Sequence, residues 1–298
     1  MFTKALVRAP APNFSEGLTT AGLGAPSYER ALAQHEAYCA ALERCGLALI
    51  RLEADERYPD SCFVEDTAIL VVADGDQTLG ERQHEVESRI HPLTQVVPTK
   101  PLAVLTRPGA PSRAGEVEPM RAVLGDLFPA LLSIQSPGTL DGGDVCEAGR
   151  HFFIGISERT NDAGARQLAE MVAPQGYTTS VVDIRGTGVP PVSHAQDARA
   201  TSGILHLKSG LSCLGKSRLV VADALAERAE FAGYDLIRVP SGEEYAANCL
   251  RVNDHVLVAA GYPGFEGMLR ELGYQTIALH MSEFQKMDGG LSCLSLRF

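Results

Sequence analysis

The chain has 298 residues, of which 45% are hydrophobic, and a formal net charge of −11, so we expect a globular protein with a large buried core. The acidic balance argues against a nucleic-acid partner, whose phosphates require clustered Lys and Arg. No apolar run approaches the ~20 residues of a membrane span and the first residues lack the apolar core of a signal peptide, so we expect a cytoplasmic protein without membrane contact.

The predicted helices and strands follow a repeat, which the helix ends mark. An amphipathic stretch with apolar residues at helical spacing from Tyr28 to Leu42 ends at Gly46, and a β-type run follows. Glycine just past a helix end adopts the left-handed conformation that stops the helix. The same order recurs at three further glycines, Gly176, Gly233 and Gly273. A fifth unit, which begins at Glu116, ends on Pro129 instead.

Two short strands before each helix are predicted to form a hairpin. The clearest pairs are residues 144–148 with 151–155, 211–214 with 218–222, and 249–252 with 255–259. Each unit is therefore interpreted as a hairpin, a helix and a further strand. The last hairpin has one strand only, residues 291–298, unless that strand pairs with residues 3–8 at the start of the chain. Such pairing would close five units into a ring without open edges.

We therefore predict an α/β ring of five ββαβ units, formed by residues 1–298 as a single domain. Two segments do not fit the repeat, residues 74–101 and residues 186–203. Both lack periodicity and are interpreted as insertions. In such a ring the equivalent loops of all units meet at the centre. Those loops contain the chemically interesting residues Glu65, Asp66, Asp141, His206, Asn248 and Cys293.

Three residues at these loops could perform proton transfer and nucleophilic attack. Cys293 follows a glycine turn, and its thiolate would be a strong nucleophile if a cation or base lay nearby. His206 is the type of side chain best suited to move protons near neutral pH. Asp141 precedes two glycines, which let the backbone approach a neighbour closely. The alternatives are a buried inert cysteine, a structural histidine and an ordinary turn.

Charged residues at other loops could bind a small zwitterion. Asp60, Glu65 and Asp66 supply carboxylates that match the planar fork of a guanidinium, and Arg113 and Arg159 could each hold a carboxylate. The alternative is that all of them are solvated surface charges. The seven cysteines form no Cys-x-x-Cys pair and no cluster with histidine at zinc spacing, so free thiols and no structural metal are expected.

Seven stretches, taken in order, carry a family resemblance that covers nearly the whole chain outside the two insertions. They are Phe63-Val-Glu-Asp66, Thr106-Arg-Pro-Gly-Ala-Pro-Ser-Arg113, Leu140-Asp-Gly-Gly-Asp-Val145, Gly155-Ile-Ser-Glu-Arg-Thr-Asn161, Leu205-His-Leu-Lys-Ser209, Ala246-Ala-Asn-Cys249 and Asp288-Gly-Gly-Leu-Ser-Cys293. This set resembles the dimethylarginine dimethylaminohydrolase family, which belongs with arginine deiminases and amidinotransferases in the guanidine-modifying superfamily.

The resemblance implies a five-fold pseudosymmetric α/β propeller that acts as one catalytic domain without cofactor or metal. It implies hydrolysis of Nω-methylated arginine to citrulline and dimethylamine or methylamine, through a thiouronium intermediate on Cys293. His206 would be the general acid and then the general base, and Asp141 would orient it. The alternatives are an arginine deiminase, which releases ammonia, and a non-catalytic arginine-binding propeller. Homodimer formation is left open.

The resemblance also implies a set of substrate ligands. Carboxylates around the guanidinium and the histidine would be Asp60, Glu65 and Asp66. The substrate α-carboxylate would bind Arg113 and Arg159, and main-chain carbonyls near Leu18 and Met287 would receive the α-amine. From its place beside the carboxylates, Phe63 is predicted to line the side of the pocket that receives the methyl groups.

Overall fold

The computed structural model describes residues 1–72, 100–186 and 204–298. The segments predicted as insertions, 74–101 and 186–203, lie almost wholly outside these ranges. Within the described residues, fifteen strands form five sheets of three strands each. No helix among those residues has both the length and the apolar character needed to cross a membrane.

In every sheet the middle strand pairs antiparallel with the first strand and parallel with the third. The sheets contain β15 (Ser295–Arg297), β1 (Lys4–Arg8) and β2 (Ala48–Leu52); β3 (Ala68–Val71), β4 (Leu102–Leu105) and β5 (Ala130–Ser133); β6 (Val145–Glu147), β7 (His151–Ile156) and β8 (Thr178–Asp183); β9 (Leu211–Gly215), β10 (Arg218–Val221) and β11 (Asp235–Arg238); and β12 (Leu250–Val252), β13 (His255–Ala259) and β14 (Gln275–Leu279). This order confirms the repeated unit.

Four longer helices connect a middle strand to the third strand of its sheet: α1 (Tyr28–Arg44), α2 (Val117–Leu127), α3 (Asp162–Val172) and α5 (Pro263–Glu271). Two single-turn helices are α4 (Leu207–Gly210), which contacts the turn Gly142–Asp144, and α6 (Ser282–Gln285), which contacts α1. In the fourth unit the expected helix is replaced by two 3-10 turns, Asp223–Leu225 and Ala229–Phe231. Leu225 and Phe231 are both buried there.

The glycines predicted to stop the helices adopt left-handed conformations. Their φ angles are 91° at Gly46, 81° at Gly176, 94° at Gly233 and 87° at Gly273. A residue with a Cβ atom is strained at such angles, which explains why glycine stands at each position. The left-handed conformation predicted for these four glycines is confirmed, whereas the helix predicted before Gly233 is wrong, because two 3-10 turns stand there.

The two ends of the chain close the ring. Strand β1 pairs antiparallel with β15, with Ala5 opposite Arg297 and Val7 opposite Ser295. Inner strands of neighbouring sheets contact each other, as seen for β15 with β3, β6 with β9 and β9 with β12. Apolar clusters fill the space between neighbouring units, and one of them joins Val104, Val145 and Leu168. Full burial of each such side chain contributes about 1.5–3 kcal/mol, so adjacent units stabilise each other.

Candidate active site

Loops at equivalent positions of the five units meet at the centre, as predicted. Contacts join the 3-10 turns Val64–Thr67, Gly142–Asp144 and Ser292–Leu294 and the short helix α4, which in turn touches the turn Glu244–Ala247. A cavity of about 30 Å³ lies among them. Its lining consists of Leu18, Asp60, Phe63, Asp66, Arg113, Arg159, Leu205, His206, Met287, Asp288, Gly289 and Cys293. All predicted site residues except Glu65 and Asp141 therefore line one cavity.

His206 lies at the start of α4, where it is 8% exposed. Its Nε2 atom is 3.2 Å from Oδ2 of Asp141, and the other oxygen of Asp141 accepts the N–H of Gly109 at 2.8 Å. Asp141 is fully buried behind the imidazole. Asp144 is also buried; it accepts the main-chain N–H of Leu207 and thereby anchors the residue that follows His206.

Both glycines of the Asp-Gly-Gly-Asp stretch are required by close contacts. A Cβ atom on Gly143 would lie 2.9 Å from ring atoms of His206 and 2.9 Å from Oδ1 of Asp66. A Cβ atom on Gly142 would lie 1.9 Å from the carbonyl oxygen of Glu65. The stretch is therefore more than an ordinary turn, because it allows the histidine and the carboxylate of Asp66 to pack against bare backbone.

The carboxylates around His206 determine its charge. Burial lowers the pKa of His206, but Asp66, Asp144 and Asp141 outweigh burial and raise this pKa to about 9. Burial also raises the pKa of Asp66, but His206 and Arg113 outweigh burial and lower this pKa to about 2. At neutral pH the site therefore holds an imidazolium beside an ionised Asp66. An imidazolium is the form that can protonate a leaving amine.

Cys293 is partly exposed and lies where the last glycine turn opens into the cavity. Its sulfur accepts the N–H of Gly290 at 3.4 Å. Burial, followed by the charges of Glu65 and Asp66, raises the pKa of Cys293 to about 12. Without a ligand the thiol is therefore protonated at neutral pH, and a cation beside the sulfur would favour the thiolate.

The carboxylate of Glu65 is bonded away from the cavity. Oε2 accepts the hydroxyl of Ser292 at 2.7 Å, and Oε1 pairs with Nζ of Lys208 at 2.6 Å. Both partners are neighbours of proposed catalytic residues, since Ser292 precedes Cys293 and Lys208 follows His206 by two positions. The predicted contact between Glu65 and a guanidinium stays a prediction.

Arg113 is 5% exposed and is held by two carboxylates. Its Nη1 donates to Asp66 at 2.6 Å, while Nε and Nη2 donate to the two oxygens of Glu116 at 3.0 and 2.8 Å. Arg159 lines the same cavity and is half-buried. The predicted role of both arginines as ligands of a carboxylate stays a prediction, but both reach the cavity.

Leu18 and Met287 lie at the cavity as well. The N–H of Leu18 donates to both carboxylate oxygens of Asp60, at 3.2 and 3.1 Å, and burial raises the pKa of Asp60. Leu18 is 41% exposed, whereas Met287 is buried. The loop that follows Leu18 is also hydrogen-bonded to a residue that lines the cavity: the N–H of Thr20 donates to Asp288 at 2.6 Å.

Phe63 forms an apolar wall of the cavity and is 4% exposed. Its ring centroid lies 6.0 Å from that of Phe14 and 6.2 Å from that of Phe284. A Cβ atom on Gly289 would lie 2.3 Å from the ring, so glycine is needed where the nucleophile loop passes Phe63. The aromatic wall is therefore fixed from both sides.

A metal ion has one conceivable position among the described residues. Ligand atoms of Asp66, Asp141 and His206 all lie within 4.8 Å of one another. Arg113 already bonds to Asp66, however, and a guanidinium next to the carboxylate opposes a cation there. The prediction that the protein needs no metal stays a prediction.

Comparisons with known proteins agree with this geometry. No protein-family model matches the chain. It is 37% identical over 299 residues to an N(G),N(G)-dimethylarginine dimethylaminohydrolase of Pseudomonas aeruginosa, with 100% of both sequences covered. The chain belongs to the dimethylarginine dimethylaminohydrolase family.

Solved structures of dimethylarginine dimethylaminohydrolases have the same fold. A cysteine-to-serine variant from Pseudomonas aeruginosa in complex with citrulline matches with a TM-score of 0.82 at 36% identity, and the match covers 100% of both chains. A second structure of the family, an adduct with S-methyl-L-thiocitrulline, matches with the same TM-score, identity and coverage. The five-fold α/β propeller predicted from the sequence is confirmed.

Some residues of this dimethylarginine dimethylaminohydrolase site were missed by sequence reasoning. Leu205, Asp288 and Gly289 line the cavity, and Glu116 holds Arg113. Asp288 and Gly289 could have been found, because they begin the same glycine turn that carries Cys293. For Glu116 the only sequence signal is a position three residues after Arg113, which is too common to indicate a buried pair.

Proposed function

We propose that the protein hydrolyses asymmetric dimethylarginine and monomethylarginine to citrulline, with release of dimethylamine or methylamine. The observation that carries this function is a single cavity lined by Cys293, His206 and buried carboxylates, in a member of the dimethylarginine dimethylaminohydrolase family. Residues 1–298 would act as one catalytic domain. We also propose a cytoplasmic location, which the seven free cysteines support.

Substrate binding prepares the nucleophile. The substrate guanidinium would lie beside Asp66 and Asp60, and its positive charge lowers the pKa of the Cys293 thiol from the high value found without ligand. The thiol proton is released to solvent, because His206 already carries a proton below a pH of about 9. The bound cation therefore creates the thiolate that attacks it.

The first half of the reaction replaces a C–N bond with a C–S bond. The sulfur of Cys293 attacks the guanidinium carbon, and His206 gives its proton to the methylated nitrogen as the amine leaves. Asp141, at 3.2 Å from Nε2, keeps the imidazole oriented and stabilises its charge. The product of this half is an S-alkylthiouronium on Cys293 and a neutral His206.

The second half restores the enzyme. Neutral His206 takes a proton from water, and the resulting hydroxide attacks the thiouronium carbon. The C–S bond then breaks, the proton of the new hydroxyl group goes to the sulfur, and citrulline leaves with its new carbonyl oxygen, so Cys293 is again the thiol of the free enzyme. The same imidazole thus gives a proton and later takes one, so the charge of His206 returns to its starting state.

The rest of the cavity would select the amino acid. Arg113 and Arg159 bind the α-carboxylate, carbonyl groups near Leu18 and Met287 receive the α-amine, and Phe63 faces the methyl groups.

Amine release from a panel of guanidines tests this function. We expect dimethylamine from asymmetric dimethylarginine, methylamine from monomethylarginine, little turnover of arginine, and almost none of symmetric dimethylarginine because its far nitrogen is also methylated. Ammonia from arginine as the main product at equal substrate concentration would show an arginine deiminase. Binding without any amine release would show an arginine-binding protein.

A further inference from the structure

Asn248 lies between the turn Glu244–Ala247 and strand β12, and it is 6% exposed. Its side-chain amide makes three hydrogen bonds. Oδ1 accepts the N–H of Ser292 at 2.9 Å, while Nδ2 donates to Oγ of Ser292 at 3.1 Å and to the carbonyl of Lys208 at 2.9 Å. The amide thus holds Ser292 at two points and bridges to a second loop.

The partners of Asn248 lie next to the two reacting side chains. Ser292 directly precedes Cys293, and Lys208 is two residues after His206. Gly290, whose N–H donates to the Cys293 sulfur, packs flat on the amide, because a Cβ atom there would lie 2.5 Å from Cγ of Asn248. Asn248 therefore contacts the turn of the nucleophile at two residues that precede Cys293.

The contacts require a side chain with both a donor and an acceptor. The hydroxyl of Ser292 donates its proton to Glu65 at 2.7 Å, so it can only accept from residue 248. A carboxylate at this position would face Oγ of Ser292 and the carbonyl oxygen of Lys208 and could donate a proton to neither of them. It would also lie near the negative Glu65. An alanine would leave the buried N–H of Ser292 without this partner.

We propose that Asn248 is a positioning residue that sets the separation between the sulfur of Cys293 and the imidazole of His206. This inference rests on the proposed function, in which both groups act on one guanidinium. Misplacement of reacting groups by about 1 Å can lower a rate about 100-fold. The proposed ligands of the α-carboxylate lie on other loops, so the effect should appear in kcat and not in KM.

Asn253 offers a matched control. Its amide has the same pattern of bonds, since Oδ1 accepts the N–H of Phe2 at 2.9 Å and Nδ2 donates to the carbonyls of Phe2 at 3.1 Å and Cys45 at 2.9 Å. It lies in the turn between β12 and β13 with φ of 53°, a conformation that glycine accepts. Asn253→Gly therefore removes three comparable hydrogen bonds away from the cavity.

The test compares kcat, KM and melting temperature of the wild type, Asn248→Ala and Asn253→Gly with asymmetric dimethylarginine. We expect Asn248→Ala to lose kcat about 10- to 100-fold with KM within about threefold. Asn253→Gly should melt at a lower temperature and keep kcat within about twofold. Ser292→Ala removes one of the three hydrogen bonds of Asn248, the bond from Nδ2 to Oγ. Its kcat should therefore fall less than that of Asn248→Ala.

Two results would overturn the proposal while leaving the proposed function intact. One is a folded Asn248→Ala with wild-type kcat, and the other is an equal loss of kcat in Asn253→Gly. If Asn248→Ala does not fold, wild-type kcat in a folded Asn248→Asp, which cannot donate to Ser292 or Lys208, has the same meaning. A wild type that releases no amine would overturn both the proposed function and this inference.

Discussion

Nε2 of His206 lies 3.2 Å from Oδ2 of Asp141, and this carboxylate is itself fixed by the N–H of Gly109 at 2.8 Å. One oxygen of Asp141 thus faces the imidazole while the other is held by the backbone. Because the carboxylate cannot rotate without breaking this second bond, the imidazole has a single preferred orientation. Asp141 therefore affects both the direction in which the imidazole of His206 presents its proton and the charge of that imidazole.

Asp141→Asn tests this relationship. The amide keeps the size of the side chain but removes a charge that raises the pKa of His206, so that pKa should fall. General acid–base catalysis contributes ~10²–10⁴-fold to a rate, and the orientation of the imidazole is one part of that contribution. We therefore expect kcat to fall about tenfold or more. Asp141→Glu keeps the charge and should retain more activity. An unchanged pH profile in Asp141→Asn would contradict the account.

The pH dependence of kcat/KM in the wild type follows from the two raised pKa values. The reactive form needs the thiolate of Cys293 and the imidazolium of His206, whose pKa values are about 12 and about 9 without ligand. As pH rises towards 9, thiolate increases while the imidazolium persists, so kcat/KM should rise up to about pH 9 and level off above it. The apparent pKa values of this profile belong to the coupled pair of Cys293 and His206, and not to either residue alone. A maximum below pH 7 would contradict this order.

The fold could be predicted from local features of the sequence. Gly46, Gly176, Gly233 and Gly273 mark helix ends because the left-handed conformation they adopt is a local backbone property. The pairing of β1 with β15 also follows, since a ring of repeats leaves one hairpin incomplete. The 3-10 turns around Leu225 could not be predicted, because residues 223–232 consist largely of strong helix formers such as Ala, Leu, Glu and Arg.

Much of the candidate site could be predicted only through the family resemblance. The motifs indicate which residues line the cavity, but not which way each charge points. Glu65 and Asp66 are adjacent, yet one bonds to Ser292 and the other to Arg113. The contacts of Asn248 with Ser292 and Lys208 join loops that are distant in sequence. Such partners become visible only once the fold brings the loops together.

Glu116→Gln tests whether the buried pair positions Arg113. Glu116 holds Nε and Nη2 of Arg113 at 3.0 and 2.8 Å, and an amide can accept only one of these two bonds. We expect KM to rise roughly tenfold or more with a smaller change in kcat, since a hydrogen bond to a charged group contributes about 1.5–3 kcal/mol. Steady-state kinetics with asymmetric dimethylarginine measures both constants.

The exposed pair of Glu118 and Arg121 is the control for this variant. It has the same spacing of three residues, but its side chains are 71% and 47% exposed. Exposed pairs contribute about 0–1 kcal/mol, so Glu118→Gln should change neither KM nor stability appreciably. Wild-type KM in Glu116→Gln, or an equal rise of KM in Glu118→Gln, would show that the buried pair does not position Arg113.

Phe63→Leu tests the proposed methyl-binding wall. The ring lines the cavity, and one methyl group in an apolar pocket is worth about 1–3 kcal/mol, so the preference for asymmetric dimethylarginine over arginine should decrease. Phe14→Leu is the control, because Phe14 packs on Phe63 at 6.0 Å without lining the cavity. The ratio of the two kcat/KM values is the measurement. An equal decrease in both variants would refute a specific role for Phe63.

Mass spectrometry of acid-quenched enzyme tests the central claim, the covalent intermediate on Cys293. During turnover of asymmetric dimethylarginine, the peptide that contains Cys293 should gain the mass of the substrate-derived thiouronium. Cys293→Ser should bind substrate without turnover or added mass, whereas Cys249→Ser, which changes a buried cysteine outside the cavity, should still form the intermediate. Added mass on a different cysteine, or wild-type turnover in Cys293→Ser, would contradict the account.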